Sequence, residues 1–132
     1  MPVEIVEKEL SYKVVQAAYE VFNGLGPGFL EKIYEEAMVL VLRKNGHKVE
    51  AQKSVPVMFL GKQIGIHILD VVVDERIILE LKAVSEIAPI HKQQALSYLK
   101  ATGLPLALVI NFGAHRLQVT RVVNTKQKEK NA

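Results

Sequence analysis

The sequence contains no cysteine, which excludes disulfides, thiolate zinc sites and cysteine nucleophiles and leaves oxygen and nitrogen groups to carry any chemistry. A metal, if one is used, should then be a hard cation. No apolar run approaches the ~18 residues needed to cross a bilayer; the stretches are short, such as Ala37 to Leu42. A membrane span is therefore not expected. The opening MPVEIVEKELSYK places Glu4, Glu7 and Glu9 where a secretory signal carries basic residues ahead of an apolar block. A cytoplasmic location is the expectation. HExxH, a P-loop and a Ser–His–Asp order are all missing, so zinc-protease, NTPase and triad-hydrolase readings lack residues.

The 132 residues are 49% hydrophobic, enough for one core and one domain. We expect that domain over residues 1–124, followed by a polar basic tail, 125–132, with too little apolar content to stay ordered. The formal net charge of +3 is local. Residues 121–132 hold Arg121, Lys126, Lys128 and Lys130 against Glu129, which accounts for all of it. The remainder is neutral but polarised: residues 1–36 have seven acids and three bases, residues 37–120 six acids and ten bases. A basic face for phosphate and a merely solvated surface both fit this pattern.

Leu10, Val14, Ala17, Ala18, Val21 and Phe22 recur at helical spacing and predict a helix over 7–24. The turn formers Asn23-Gly24-Leu25-Gly26-Pro27-Gly28 break the chain. A second helix is predicted from Phe29 to Asn45, with Gly46 as its cap. Short β-rich segments then run from His47 to Gln52, Val55 to Leu60, Ile64 to Val73 and Arg76 to Val84, an antiparallel meander with turns at Gly61-Lys62-Gln63 and Asp74-Glu75. Pro56 places its segment at a sheet edge. A helix from Pro89 to Ala101, the continuous apolar run Leu106 to Phe112 and a last strand from Arg116 to Val123 complete an α/β (α+β) pattern. The strand–helix–strand crossover implies parallel pairing.

The informative segment is ILDVVVDERIILELKAV, residues 68–84. Asp70, Glu80 and Lys82 interrupt two apolar strands, and burying charge without partners is expensive. Glu80 and Lys82 project from one face, being two apart. A turn at Asp74-Glu75-Arg76 can pair Val73 with Ile77 and hence Asp70 with Glu80; a slip of one residue would send Asp70 to the other face. Two carboxylates would then converge beside an ammonium. With a main-chain carbonyl and waters, such a pair suits Mg²⁺ or Mn²⁺. A surface hairpin with ordinary neighbouring charges explains the same residues without any site.

Asp70 followed by Glu80-Leu81-Lys82 resembles the D…ExK core of the PD-(D/E)XK nuclease superfamily, here without the proline that often precedes the aspartate. Gly28-Phe29-Leu30-Glu31-Lys32-Ile33-Tyr34 resembles the G-x-x-E-x-x-Y signature of the GxxExxY proteins, a branch of that superfamily. The resemblance continues through Gln94-Ala95-Leu96-Ser97-Tyr98-Leu99-Lys100 and Asn111-Phe112-Gly113, covering roughly residues 10–123. It implies a restriction-endonuclease-like core, with Asp70, Glu80, Lys82 and Glu31 as catalytic residues. Asp70, Glu80 and the Leu81 main-chain carbonyl would hold Mg²⁺ or Mn²⁺. Gln94, Tyr98, Tyr34, Gly28 and His91 would touch substrate or support the site, although packing roles fit the aromatic residues equally well.

The function so implied is phosphodiester hydrolysis on nucleic acid, DNA in the first instance, with a homodimer as the natural expedient for so small a nuclease. A non-catalytic nucleic-acid-binding or assembly module is the first alternative. A nucleotide or small-phosphate enzyme or sensor is the second. His47, His67 and His115 are expected to play ordinary surface or core roles.

Overall fold

Residues 5–124 are described by the structure, a computed structural model. The elements in chain order are α1 (Lys8–Leu25), α2 (Glu31–Lys44), β1 (Val49–Phe59), β2 (Lys62–Val73), β3 (Ile77–Lys82), α3 (Pro89–Thr102), β4 (Leu106–Asn111) and β5 (Gln118–Val123). The tail expected at 125–132 lies outside the described residues. The three predicted helices and the last four strands fall close to their expected places. One expectation is corrected: the segments 47–52 and 55–60 are not two strands but one, β1.

The five strands form one sheet in the order β1-β2-β3-β4-β5, antiparallel except for the parallel pair β3 and β4 on either side of α3. The α+β architecture is thus the one the pattern predicted. β1 is an edge strand, which is where Pro56 can be tolerated. All six residues of β4 are buried, as a central strand covered on both faces requires.

Alternation divides the core in two. Val71, Val73, Ile77, Leu79, Leu81, Leu106, Leu108 and Ile110 face α1 and α2. Val72, Ile78, Ala107 and Val109 face Ala95, Tyr98 and Leu99 of α3. Each large aliphatic side chain so buried stabilises by roughly 1.5–3 kcal/mol.

The β2–β3 hairpin has the register read from the sequence: Val73 opposite Ile77, Val72 opposite Ile78 and Val71 opposite Leu79. Its turn is held from outside. Asp74 and Glu75 both adopt positive φ, at 51° and 55°, conformations that cost non-glycine residues free energy. The Asp74 carboxylate accepts hydrogen bonds from the Lys48 amide at 2.8 Å and lies 2.8 Å from His47 Nδ1. Burial alone would raise the Asp74 carboxyl, but these two partners hold it below its ordinary range. His47 therefore has a definite structural task in fixing the turn.

Candidate metal centre

The paired register ends at Val71 and Leu79. Beyond it β2 stays with β1 back to Lys62, while β3 stays with β4 out to Asn111. The sheet forks here, and Asp70 and Glu80 are the first residues past the point of separation. Leu81 has lost its strand partner on that side, and its amide donates instead to Asp70 Oδ2 at 2.9 Å. Since N–H and C=O of one strand residue point the same way, the Leu81 carbonyl faces the same gap.

Glu80 is only 3% exposed. Its Oε1 lies 3.4 Å from Lys82 Nζ, and its Oε2 is buried with no hydrogen-bond partner. Burial pushes the Glu80 carboxyl up to about 7; Lys82 opposes this, and Asp70 and Glu31 add to it. Asp70 is raised as well, chiefly by burial and against the Leu81 amide and Lys82. A buried, orphaned carboxylate oxygen next to a second carboxylate is costly in the absence of a cation. The donor set, two carboxylates and a carbonyl, is the kind a hard divalent ion takes when it keeps part of its water shell. The residues present fit such an ion.

Glu31 stands in the first turn of α2 and lines a cavity of about 310 Å³ together with Lys32, Glu35, Gln52, Asp70 and Leu81. It does not close a compact triad. Among the described residues no three His, Asp or Glu side chains are grouped tightly enough to hold an ion between them. Any further ligands would have to be water or substrate oxygen.

The other residues of the signature have separate tasks. Gly28 has φ +111°, a conformation glycine alone takes without penalty. Tyr34 is fully buried, so of its two expected roles only support fits this geometry. Its hydroxyl donates to the Gly26 carbonyl at 2.6 Å and accepts from the Phe29 amide at 3.2 Å. Its ring stacks on Phe112 with centroids 4.5 Å apart. The loop that launches α2, and hence Glu31, is thereby latched to the core. Tyr34 and Glu31 do not share an environment, although they stand one turn apart.

On the opposite face, Tyr98 is 7% exposed. Burial, then the charges of Glu80 and Asp70, push its hydroxyl up to about 12, while a hydrogen bond with Gln94 pulls the other way. Gln94 and Tyr98 thus approach the carboxylate pair from α3. His91 does something else: its Nδ1 accepts from the Ala88 amide at 3.0 Å and caps α3.

Sequence reading missed Gln52. It lies opposite Asp70, between the pairs Ala51 with Val71 and Lys53 with Leu69, and has φ +52°. The alternation reverses at this point. Val49 and Val71 face α1 and α2, whereas Val55 and Leu69 face α3. The Gln52 amide donates to Glu35 Oε1, and Glu35 is raised by burial and by the nearby Asp70 charge. The only sequence trace of this irregularity was the predicted break in strand after Gln52.

Asn111 and Gly113 fasten the far end of β3. Buried Asn111 accepts from the Val84 and Gly113 amides and donates to the Val84 carbonyl and Gln118. A Cβ on Gly113 would come within 2.5 Å of Ala83 and Val84 backbone atoms. Gly113→Ala is therefore expected to destabilise the fold by about 2 kcal/mol or more, as overpacking against backbone does. Urea denaturation measures it, and unchanged stability would contradict the close approach.

A family model described as the PD-(D/E)XK nuclease superfamily matches residues 8–122. Among solved structures, the crystal structure of SSO0001 is similar with a TM-score of 0.54 and 18% identity, over 89% of this chain. The present chain spans 57% of that structure's length, and at this identity the likeness concerns the fold alone. No curated protein matches. No helix among the described residues is long and apolar enough to cross a membrane. With a family match over most of its length and an α+β, restriction-endonuclease-like fold, the chain belongs to the PD-(D/E)XK nuclease superfamily.

Proposed function

We propose that the protein is a metal-dependent phosphodiesterase that hydrolyses nucleic acid, with DNA as the first substrate to test. The observation that carries this reading is the buried, unpartnered Glu80 oxygen, which feels the Asp70 charge, with the Lys82 ammonium 3.4 Å from the other oxygen. Superfamily membership supports a nuclease-like function, and nucleases of this superfamily generally use divalent metals. Bound between these groups, Mg²⁺ or Mn²⁺ would supply a Lewis acid that polarises the phosphodiester and acidifies the attacking water. Asp70, Glu80 and the Leu81 carbonyl would hold it. Lys82 would orient the water or offset the charge that develops on the phosphorane-like transition state. Glu31 and Glu35 lie across the cavity from Asp70 and would order water there. Gln94 would hydrogen-bond substrate or water from the α3 side. A second copy would bring a second site to the opposite strand of a duplex.

The test is a panel of single-stranded, double-stranded, branched and RNA substrates with Mg²⁺ or Mn²⁺, read together with calorimetry. Wild type should bind Mn²⁺ and cleave at least one polymer. The Asp70→Asn, Glu80→Gln double variant should do neither. If it binds Mn²⁺ as tightly as wild type, the site assignment is wrong. Metal binding without cleavage identifies a non-catalytic module, and cleavage of mononucleotides alone identifies a small-phosphate enzyme.

A further inference from the structure

From Lys53 to Phe59, β1 pairs only with β2, and from Lys62 to Leu69, β2 pairs only with β1. The two strands therefore leave the sheet as a ribbon. One of its faces is covered: Val55 and Leu69 join the α3 core, and the His67 ring lies edge-on to Tyr98 at 4.6 Å. The other face is open. Ile66 and Ile68 stand on it at 57% and 48% exposure, opposite Pro56 and Ser54. Met58 and Ile64 lie further out at 55% and 66%, with Phe59 and Leu60 at the tip at 62% and 86%.

At roughly 200 Å² per side chain Met58, Ile64, Ile66 and Ile68 together expose about 450 Å² on this one face, a contiguous apolar patch of the size that on a monomer is often functional. The strip from Ser54 and Pro56 through Met58 to Ile64, Ile66 and Ile68 carries no charged residue. Phosphate has nothing to bind there, whereas an uncharged apolar surface is complementary to itself, as a twofold contact demands. Pro56 lacks an amide donor and blunts the free edge of β1, which favours packing by the face over open-ended edge pairing.

We propose that the Ile66–Ile68 face of the β1–β2 ribbon is the contact between two copies of this chain, packed face to face about a twofold axis. The proposal is independent of any catalytic activity. Because Ile68 is two residues from Asp70, each acidic cleft opens at the margin of that contact.

Light scattering on the full chain across the micromolar range should give twice the 14.7 kDa chain mass. The Ile66→Lys, Ile68→Lys variant should fall to one chain mass with an unchanged circular dichroism spectrum. The native chain has no cysteine, so Ile66→Cys introduces a single thiol, and mild oxidation should convert it to a covalent dimer. This second variant decides the matter if the lysine variant does not fold. A monomeric wild type, a lysine variant that stays dimeric, a mass that grows beyond two chains with concentration, or no covalent dimer from Ile66→Cys would each overturn the proposal.

Discussion

Lys82→Met is expected to slow cleavage by roughly 10² or more, the range for positioned acid–base and electrostatic groups, while leaving Mn²⁺ affinity within a few-fold of wild type. An ammonium has no lone pair for a metal, so Lys82 can act on the reaction only through charge and hydrogen bonds. Its Nζ is 3.4 Å from Glu80 Oε1, with the side chain 19% exposed, which leaves it reach toward a substrate phosphate. Methionine keeps the length and most of the apolar packing of the stem. An interaction that strengthens in the transition state lowers kcat when removed and leaves KM nearly unchanged. Single-turnover cleavage and calorimetry measure the two quantities. Because Lys82 also favours the ionised form of Glu80, the comparison belongs well above pH 7. Cleavage that persists at the wild-type rate would refute the catalytic role, even with the metal site intact.

The second large effect concerns stability in the absence of metal. Glu80 is raised from 4.5 to about 7, so between these values the folded protein holds a proton that the unfolded chain has released. Stability from this group is fully present below pH 4.5 and is lost as pH rises through about 7. At about 1.4 kcal/mol per unit the whole span is on the order of 3 kcal/mol. Asp70 is raised too and acts with the same sign. Asp74, which is lowered, acts only as pH falls below the carboxylate range and stays outside this window. Of the groups facing Glu80, Lys82 favours its charge and Asp70 and Glu31 oppose it; Tyr98 stays neutral.

Glu80→Gln, neutral at every pH, should therefore flatten the decline and exceed wild type above pH 7 by about 1–3 kcal/mol. Saturating Mn²⁺ should reverse that order, because it stabilises only the protein that binds it. Urea denaturation at about pH 5 and about pH 8, with and without Mn²⁺, reads all of this. A metal-free wild type whose stability does not fall over that range would contradict the environment described for Glu80.

The hairpin that joins Asp70 to Glu80 was legible because two rules agreed: a short polar turn at Asp74-Glu75 and apolar alternation on both sides admit one register, and that register is present. The buried run of β4 was legible for the same reason, since continuous apolarity leaves a strand few places to go. The fork was not. It depends on where two pairings end, and no local pattern encodes the end of a ladder. Gln52 escaped notice because a positive φ on a non-glycine residue leaves no mark in residue type. Tyr34 shows the limit of helical spacing: it stands only three positions from Glu31, yet its ring lies in the core, its hydroxyl bonded to the loop at Gly26 and Phe29. Asn111 and Gly113 stood only on resemblance until the Ala83–Val84 backbone appeared against them.

The two ends of β2 differ in what they can absorb. Near the Leu60–Gly61 tip the pairing already shifts between Val57 and Met58, leaving one extra residue on β2, and the register of Asp70 is unaffected by it. The other end has no such slack. The stretch from Asp70 to Glu80 works as a fixed ruler whose zero is set by Lys48 and His47 gripping Asp74. One residue gained or lost within it would leave two perfectly good apolar strands and turn Asp70 away from Glu80. A change of length at the tip of the first hairpin leaves the spacing of Asp70 and Glu80 untouched, whereas the same change in the second abolishes it.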